Sequence, residues 1–259
     1  MSGPTLVTSR DNPLVKRLRV IAQDNVAYRK HGQVWLEGDH LCRALLARDQ
    51  VPETAVFTER GWEEAPDEVR GACNHRVIVP TALMAGISGL ESPAAMGFVW
   101  TLPDTLDPVA GAPTVVLDRL QDAGNVGSIL RSAAAMGFSQ VLAIKGTAGL
   151  WSPKVLRSGM GAHFGLRLVE GLDPDAIGAL EVPVLVTSSH QGEFVHRSKL
   201  PWPCAWVMGH EGQGVGAKLE SFADRALRIV QPGGEESLNV AAAAAICLHA
   251  SATSRGEPL

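Results

Sequence analysis

Five short apolar segments constrain the second half of the sequence more than any other feature. Each is rich in β-branched residues, and each is followed by a turn and usually by helix-compatible sequence. Continuous apolar strands separated by helices are typical of a parallel sheet covered on both faces. We therefore predict an α/β fold whose ligands bind where strands end and loops begin. The segments are TVVLD (114–118), QVLAI (140–144), VPVLVTS (182–188), CAWVMG (204–209) and ALRIV (226–230).

The first hundred residues have a mixed pattern. NPLVKRLRVIAQ places Leu14, Leu18 and Ile21 at helical spacing, with basic residues between them. VWLEG and RVIVP are short strand candidates. These segments predict a small N-terminal α/β domain.

The predicted boundary lies in a proline-rich segment. Thr101–Pro113 contains three prolines and a glycine without periodicity, which is typical of a linker. We therefore predict a first domain over residues 1–105, a linker that extends to about residue 113, and a second domain over residues 114–259.

Charge is distributed unevenly along the sequence. The net charge is −4, yet Arg10–His31 contains six basic and two acidic residues. This local balance of +4 leaves −8 for the remainder. The basic segment fits either a face that binds phosphate or an ordinary solvated helix face.

Several classes of protein are disfavoured by composition. An apolar content of 46% and a mean hydropathy of +0.08 fit a globular protein. No uninterrupted apolar run reaches about 18 residues, so we expect a cytoplasmic protein without a membrane partner. The cysteines are scattered singly, so we expect buried free thiols and no metal site. They are Cys42, Cys73, Cys204 and Cys247.

A first polar loop is DAGNVGSILRS, which begins at Asp122. Asn125 stands where a helix N-cap is expected, and that role alone would explain it. Arg131 flanks an apolar stripe at helical spacing, so its guanidinium must either reach solvent or hold an anion.

Two further polar loops follow apolar strands. VMGHEGQGVG holds Glu211 between glycines, which allow close approach of the backbone to a ligand. RIVQPGGEESLNV contains Ser237 and Asn239, which also fit simple caps of the helix and turn that they precede.

The order of these three loops resembles a known family. Asn-x-Gly-x-x-x-Arg, then Gly-x-Glu-Gly-x-Gly, then Ser-Leu-Asn-Val before an alanine-rich helix is similar to the three motifs of the SpoU (TrmH) family of RNA 2'-O-ribose methyltransferases, in the SPOUT class. The resemblance covers about residues 114–252. VTSRDNPLVKRLRVI and VWLEGDHLCRALL more weakly resemble the family's ribosomal-protein-like RNA-binding extension.

The resemblance implies a fold, a cofactor and an assembly. It implies a deep trefoil knot in the second domain that binds S-adenosylmethionine in a bent conformation. It also implies a homodimer whose active sites combine residues of both subunits, which would explain the smooth alanine-rich helix. The implied cofactor contacts are Gly209, Ile229 and Leu238.

The resemblance also assigns polar site residues. Arg131 is the key residue, either as a general base or as an anchor for the target phosphate. A guanidinium with a pKa above about 12 is normally protonated, which favours the anchor. Ser237 would lie near the target ribose. The remaining site residues, which would hold polar groups in position, are Asn125, Glu211 and Asn239.

Some positions depart from the family pattern. Ala123 stands where proline is common, and His210 where asparagine or a small residue is usual. Gly159 stands where serine is frequent. Val230 and Gln231 replace the last two residues of Ile-Pro-Met.

The activity implied is 2'-O-methylation of structured RNA, and several alternatives stay open. Ribosomal RNA is favoured over transfer RNA by the two-domain layout, and a housekeeping role is not distinguished from antibiotic resistance. A non-catalytic RNA-binding protein is one rival. An NAD-dependent oxidoreductase is another, because Gly212–Ala217 fits Gly-x-Gly-x-x-Ala, although too few elements follow this segment.

Overall fold

The protein divides into two compact units. Residues up to Asp104 form the first unit together with Trp151–Phe164, and Thr105–Leu150 with the residues from Gly165 onward form the second. The domains predicted from the sequence run unbroken through Trp151–Phe164, a segment that the structure places in the first unit. A computed structural model describes residues 3–104, 106–188, 192–233 and 238–254.

The elements up to Asp104 alternate between short strands and short helices. In chain order they are β1 (Thr5–Leu6), α1 (Pro13–Gln23), α2 (Ala27–His31), β2 (Gln33–Glu37), α3 (Asp39–Leu46), β3 (Thr54–Phe57), α4 (Glu59–Glu64), α5 (Asp67–Arg70), β4 (His75–Ile78), α6 (Thr81–Ile87) and β5 (Met96–Thr101). The strands form a mixed sheet in the order β1-β4-β3-β5-β2. Thus β2 and β4 confirm the strands predicted at VWLEG and RVIVP.

Helix α1 confirms the helical pattern predicted near the N-terminus. The Asn12 side chain accepts a hydrogen bond from the Leu14 N–H at 2.9 Å, and Pro13 occupies the first turn. Val15, Leu18 and Ile21 are buried in the core of the first unit, whereas Leu14 is only half-buried. The apolar stripe is therefore shifted by one residue from the predicted one at its start.

The elements after Asp104 follow a strand–helix alternation with additional short 3-10 turns. They are β6 (Thr114–Leu117), α7 (Ala123–Ala135), β7 (Gln140–Ile144), α8 (Pro153–Gly159), β8 (Arg167–Leu172), β9 (Val184–Thr187), β10 (Glu193–Phe194), β11 (Ala205–Met208), α9 (Ala217–Glu220), β12 (Arg225–Arg228) and α10 (Val240–Thr253). Of these, α8 belongs to the first unit.

The second unit is built on a parallel sheet, as the five apolar segments predicted. The sheet has seven strands. Its strand order is β10-β12-β9-β11-β6-β7-β8, and every neighbouring pair is parallel. The carboxyl ends of all seven strands therefore lie along one edge of the sheet, which we call the carboxyl edge. Helix α10 packs against α7 and β11.

The sheet and its helices differ from the predictions in two places. Strand β12 ends at Arg228, so Ile229 follows the strand instead of closing it. The alternative that Asn125 caps α7 is wrong, because the Asp122 side chain is the cap and accepts from the Asn125 N–H at 2.7 Å. The helix begins earlier than expected, and this frees the Asn125 side chain for other contacts.

Within the described ranges, no helix combines the length and the apolar composition needed to cross a bilayer.

Candidate active site

The three predicted polar loops meet at one place on the second unit. The Asn125 side chain, in the first turn of α7, donates from Nδ2 to Oε1 of Glu211 at 3.2 Å. Its Oδ1 accepts from Nδ2 of Asn239 at 3.0 Å. We call Asn239, Asn125 and Glu211 the polar row. Its members are 86 and 114 residues apart in sequence, so the fold alone brings them together.

Helix α10 fixes the orientation of the polar row. Asn239 is the N-cap of this helix, and its Oδ1 accepts from the backbone N–H groups of Ala241 and Ala242 at 2.9 and 3.3 Å. One of the two capping roles proposed for the third loop is thus confirmed. The capping oxygen faces the helix, so the amide nitrogen of Asn239 faces Asn125.

The loop that carries Glu211 is held tightly against the sheet. We call residues 209–216 the glycine loop. A Cβ atom on Gly209 would lie 2.4 Å from the backbone carbon of Gly214 and 2.4 Å from the nitrogen of Val215. A side chain there would displace backbone, so only glycine fits this close approach. The His210 N–H also donates to the Gly214 carbonyl at 3.0 Å, which closes the loop on itself.

An ion pair between a buried carboxylate and a half-buried guanidinium connects the glycine loop to the end of β6. Asp118 is 2% exposed and accepts from the Gly216 N–H at 2.7 Å. Its carboxylate also accepts from Arg119, at 2.8 Å from Nε. Arg119 in turn donates to Oε1 of Gln213 at 2.9 Å. This hydrogen-bonded contact with Asp118 raises the pKa of Arg119 further above its ordinary value.

Asp118, Arg119 and Gln213 were not predicted as site residues from the sequence. A signal was present, because Asp118 directly follows an apolar strand segment, where a carboxylate needs a partner once buried. Its partner in the glycine loop lies about a hundred residues away, and nothing in the sequence pairs the two positions.

Arg131 does not belong to the polar row within one protomer. It lies six residues after Asn125 on α7, which is about 9 Å along the helix axis and about 120° around it. Its side chain is exposed, and no hydrogen bond or ion pair to the described part of the protein restrains it. An exposed, unrestrained guanidinium is available to an anion from outside this protomer.

The remaining predicted residues that the structure describes all belong to the second unit. Gly209 is buried in the glycine loop, Ile229 is half-buried, and Leu238 is 40% exposed. Ser237 lies outside the described residues, as does Thr105 at the predicted domain boundary.

An apolar groove of about 580 Å³ lies on the second unit beside α10. Ile229 and Val230 line it from the end of β12, and Ala245 and Ile246 line it from the helix. Val230 and Ile246 are 44% and 42% exposed, which is unusual for large apolar side chains.

The described residues contain no group of three or more His, Cys, Asp or Glu side chains arranged to hold a metal ion. A nucleoside with a sulfonium group has different needs. Exposed backbone at a glycine loop and apolar side chains beyond the end of β12 suit such a ligand.

Residues 112–249 match the family model described as the SpoU rRNA Methylase family. The protein is 31% identical to an uncharacterized tRNA/rRNA methyltransferase of Synechocystis sp., over 94% of this protein and 92% of that one. It is 32% identical to the 23S rRNA (guanosine(2553)-2'-O)-methyltransferase of Bacillus subtilis, over 83% and 86% of the two. The crystal structure of an AdoMet-bound rRNA methyltransferase from Sinorhizobium meliloti matches with a TM-score of 0.84 and 25% identity, covering 98% of this protein and 99% of that one.

Proposed function

The protein belongs to the SpoU rRNA methylase family, and from this premise we propose that it transfers a methyl group from S-adenosylmethionine to a ribose 2'-hydroxyl of ribosomal RNA. The observation that carries the proposal is the meeting of the three family motifs in the polar row of Asn239, Asn125 and Glu211. An NAD-dependent oxidoreductase does not require these three side chains to meet at the N-terminus of α10.

We propose that the glycine loop, Ile229 and Leu238 hold S-adenosylmethionine. The close packing at Gly209 presents backbone groups instead of side chains, and Ile229 supplies an apolar surface. When bound, S-adenosylmethionine supplies an electrophilic methyl group on a sulfonium. Asp118 and Arg119 keep the glycine loop at the carboxyl edge, so the donor would be held in one place during in-line transfer.

Arg131 is proposed to anchor the RNA. Its five N–H groups match a phosphate bidentately, and its exposure leaves them accessible. A protonated guanidinium has no lone pair to accept a proton, so the role of general base does not suit it. Ser237 remains a predicted contact of the target ribose.

We propose that two copies pair through the apolar groove beside α10. Exposed Val230 and Ile246 favour burial against a second protomer. Arg131 of one protomer would then complete the polar row of the other, because within its own protomer it stands apart. Membership of the SpoU family supports the proposal of a trefoil knot in the second domain.

We propose that the first unit binds RNA. Arg10 and Lys30 are exposed, which supports this role, while two other cations of the basic segment are already paired. Lys16 lies 3.0 Å from Asp11, and Arg17 lies 3.2 Å from Glu53.

The experiment is a methyl-transfer assay with labelled S-adenosylmethionine and unmodified transcripts of 23S rRNA, 16S rRNA and a tRNA pool. We expect label in ribosomal RNA, located as a 2'-O-methyl group by resistance to alkaline cleavage. Label in tRNA alone would contradict the proposed substrate, and no label in any RNA would contradict the activity.

The matched variant is Arg131→Ala. We expect it to bind S-adenosylmethionine with the wild-type Kd in calorimetry and to lose transfer, because the anchor acts on RNA and not on the methyl donor. A transfer rate equal to that of the wild type would remove Arg131 from the site.

A further inference from the structure

Methyl transfer to a hydroxyl releases a proton, and the described residues differ in their ability to take it. We infer that the Glu211 carboxylate is the general base that accepts the 2'-hydroxyl proton. This inference rests on the proposed function, and it follows from the direction of the hydrogen bonds in the polar row.

Backbone donors determine that direction. The N–H groups of Ala241 and Ala242 can only donate, so the atom of Asn239 that faces them is its oxygen. Its amide nitrogen must then point to Asn125 and donate to it. An asparagine has one oxygen and one nitrogen on its amide, so each contact fixes the next one.

The same reasoning extends along the row to Glu211. Asn125 uses its oxygen to accept from Asn239, so the group that it presents to Glu211 is its NH₂ donor. The Glu211 oxygen at 3.2 Å must therefore accept, as a carboxylate does. One amide donor, Nδ2 of Asn125, holds Oε1, and Oε2 has no hydrogen bond to any residue that the structure describes.

Neighbouring groups are less suited to receive a proton. Arg131 has donors only. The Nδ1 atom of His210 accepts from the Gly212 N–H at 3.0 Å, so the neutral ring carries its hydrogen on Nε2 and presents a donor. Asp122 is a second exposed carboxylate nearby, with Oδ1 capping α7, and the control variant below separates it from Glu211.

Atoms and electrons are conserved in the proposed methyl transfer. A lone pair of the 2'-oxygen forms the bond to the methyl carbon while the carbon–sulfur bond breaks and its electrons stay on sulfur. The hydroxyl O–H bond breaks and its proton moves to Oε2 of Glu211. The products are a methyl ether, a neutral thioether and a protonated carboxyl group, which then returns its proton to water.

The first test is Glu211→Gln in the full-length protein. Glutamine keeps an oxygen that accepts from Asn125, so the polar row is preserved while the basic lone pair is lost. With 23S rRNA transcript, we expect the single-turnover rate to fall by about 10²–10⁴-fold, which is the usual contribution of a general base. The Kd for S-adenosylmethionine, measured by calorimetry, should not change.

The pH profile separates a base from a positioning residue. Between about pH 6 and pH 9, the wild-type rate should be close to level, because a proton acceptor within the protein takes the place of hydroxide. In Glu211→Gln, hydroxide must remove the proton, so its rate should rise about tenfold per pH unit. A slow variant whose profile runs parallel to the wild type would assign Glu211 to positioning and overturn the inference.

The control is Asp122→Asn. Asparagine also caps helices well, and the substitution removes one negative charge beside the same turn. We expect the rate of this variant to stay within about threefold of the wild type, because Asp122 is not the proposed proton acceptor. If Glu211→Gln is as active as this control, the inference is overturned while the methyltransferase assignment stands. A wild-type protein that labels no RNA would instead end both.

Discussion

Gly209 is the residue where the two ends of the glycine loop pack closely against each other. A methyl group there would lie 2.4 Å from two backbone atoms of the same loop. We therefore predict that Gly209→Ala shifts the loop and weakens S-adenosylmethionine binding by at least about tenfold, which is ~1.4 kcal/mol. Isothermal calorimetry would measure the change.

Gly212→Ala is the matched control in the same loop. A Cβ at Gly212 would meet nothing closer than 3.9 Å, which is ordinary contact. This variant should keep the wild-type Kd. Equal weakening by both substitutions would mean that the loop tolerates no change at all, and that close packing at Gly209 is not the reason.

Gly159 explains one of the departures from the family pattern. A Cβ at this position would lie 2.3 Å from Cε1 of His163, whose ring is buried. The His163 ring also stacks near Trp151, with centroids 5.2 Å apart. The space that a serine needs is thus occupied by the imidazole. We predict that Gly159→Ser destabilises the protein by about 1–3 kcal/mol through overpacking.

A double-mutant cycle tests this account. His163→Ala opens a cavity, so Gly159→Ser should cost less in that background than in the wild type. Urea unfolding of the four proteins gives the coupling free energy. A coupling of zero would show that the two side chains do not compete for the same space.

At the scale of elements, α10 is fixed to the sheet by a buried polar contact. Nε1 of Trp206, on β11, donates to Oγ of Ser251 at 2.8 Å, and both side chains are fully buried. Ser251→Ala would leave the indole N–H without an acceptor, at a cost of about 1–3 kcal/mol. The free energy of unfolding in urea should fall by this amount.

Ser254→Ala provides the comparison for that helix. Its hydroxyl is half-buried and, among the described residues, bonds only to the Ala250 carbonyl of α10, at 2.8 Å. We expect a change of less than about 0.5 kcal/mol, as for most surface substitutions. If the two serines proved equivalent, the contact with Trp206 would not be what stabilises the helix.

Most elements of the second unit were predictable, and their meeting points were not. The apolar segment QVLAI coincides with β7, because a short continuous apolar run between turns is typical of a buried strand in an α/β fold. The strands β8 and β10 were missed, since RLVEGL mixes polar and apolar residues and EF is too short to show a period. The prediction that Asn125 caps α7 failed because Asp122, three residues earlier, fits the same cap pattern and is the actual cap.

In the candidate site, the polar residues were also predictable from the sequence, whereas the contacts that hold the glycine loop were not. Motif order pointed to Asn125, Glu211 and Asn239, and the structure joins them by hydrogen bonds. The role of the Asp118–Arg119 ion pair could not be predicted from the sequence. Asp118 accepts a hydrogen bond from the Gly216 N–H, in a loop about a hundred residues away. Long-range pairing in a parallel sheet is set by crossover connections, which local sequence does not specify.

At the scale of the whole molecule, the apolar groove predicts the state of association. Ile246 is 42% exposed at its wall, and a carboxylate buried there against a second protomer would cost several kcal/mol. We expect light scattering to give twice the 27.4 kDa of one protomer for the wild type and a single protomer for Ile246→Glu. Methyl transfer should be lost with the dimer.

Val51→Glu controls for added charge. Val51 is 69% exposed in the first unit and is not one of the residues that line the groove. This variant should keep the wild-type mass and activity. A wild type that elutes as a single protomer at micromolar concentration would contradict the pairing proposal directly.

The position of Asn239 has a consequence for local unfolding. The polar row is complete only when the start of α10 is in place, and this helix docks on β11 through Ser251. Fraying of α10 from the sheet would release Asn125 and Glu211 together, so the site would be lost while the seven strands stay paired.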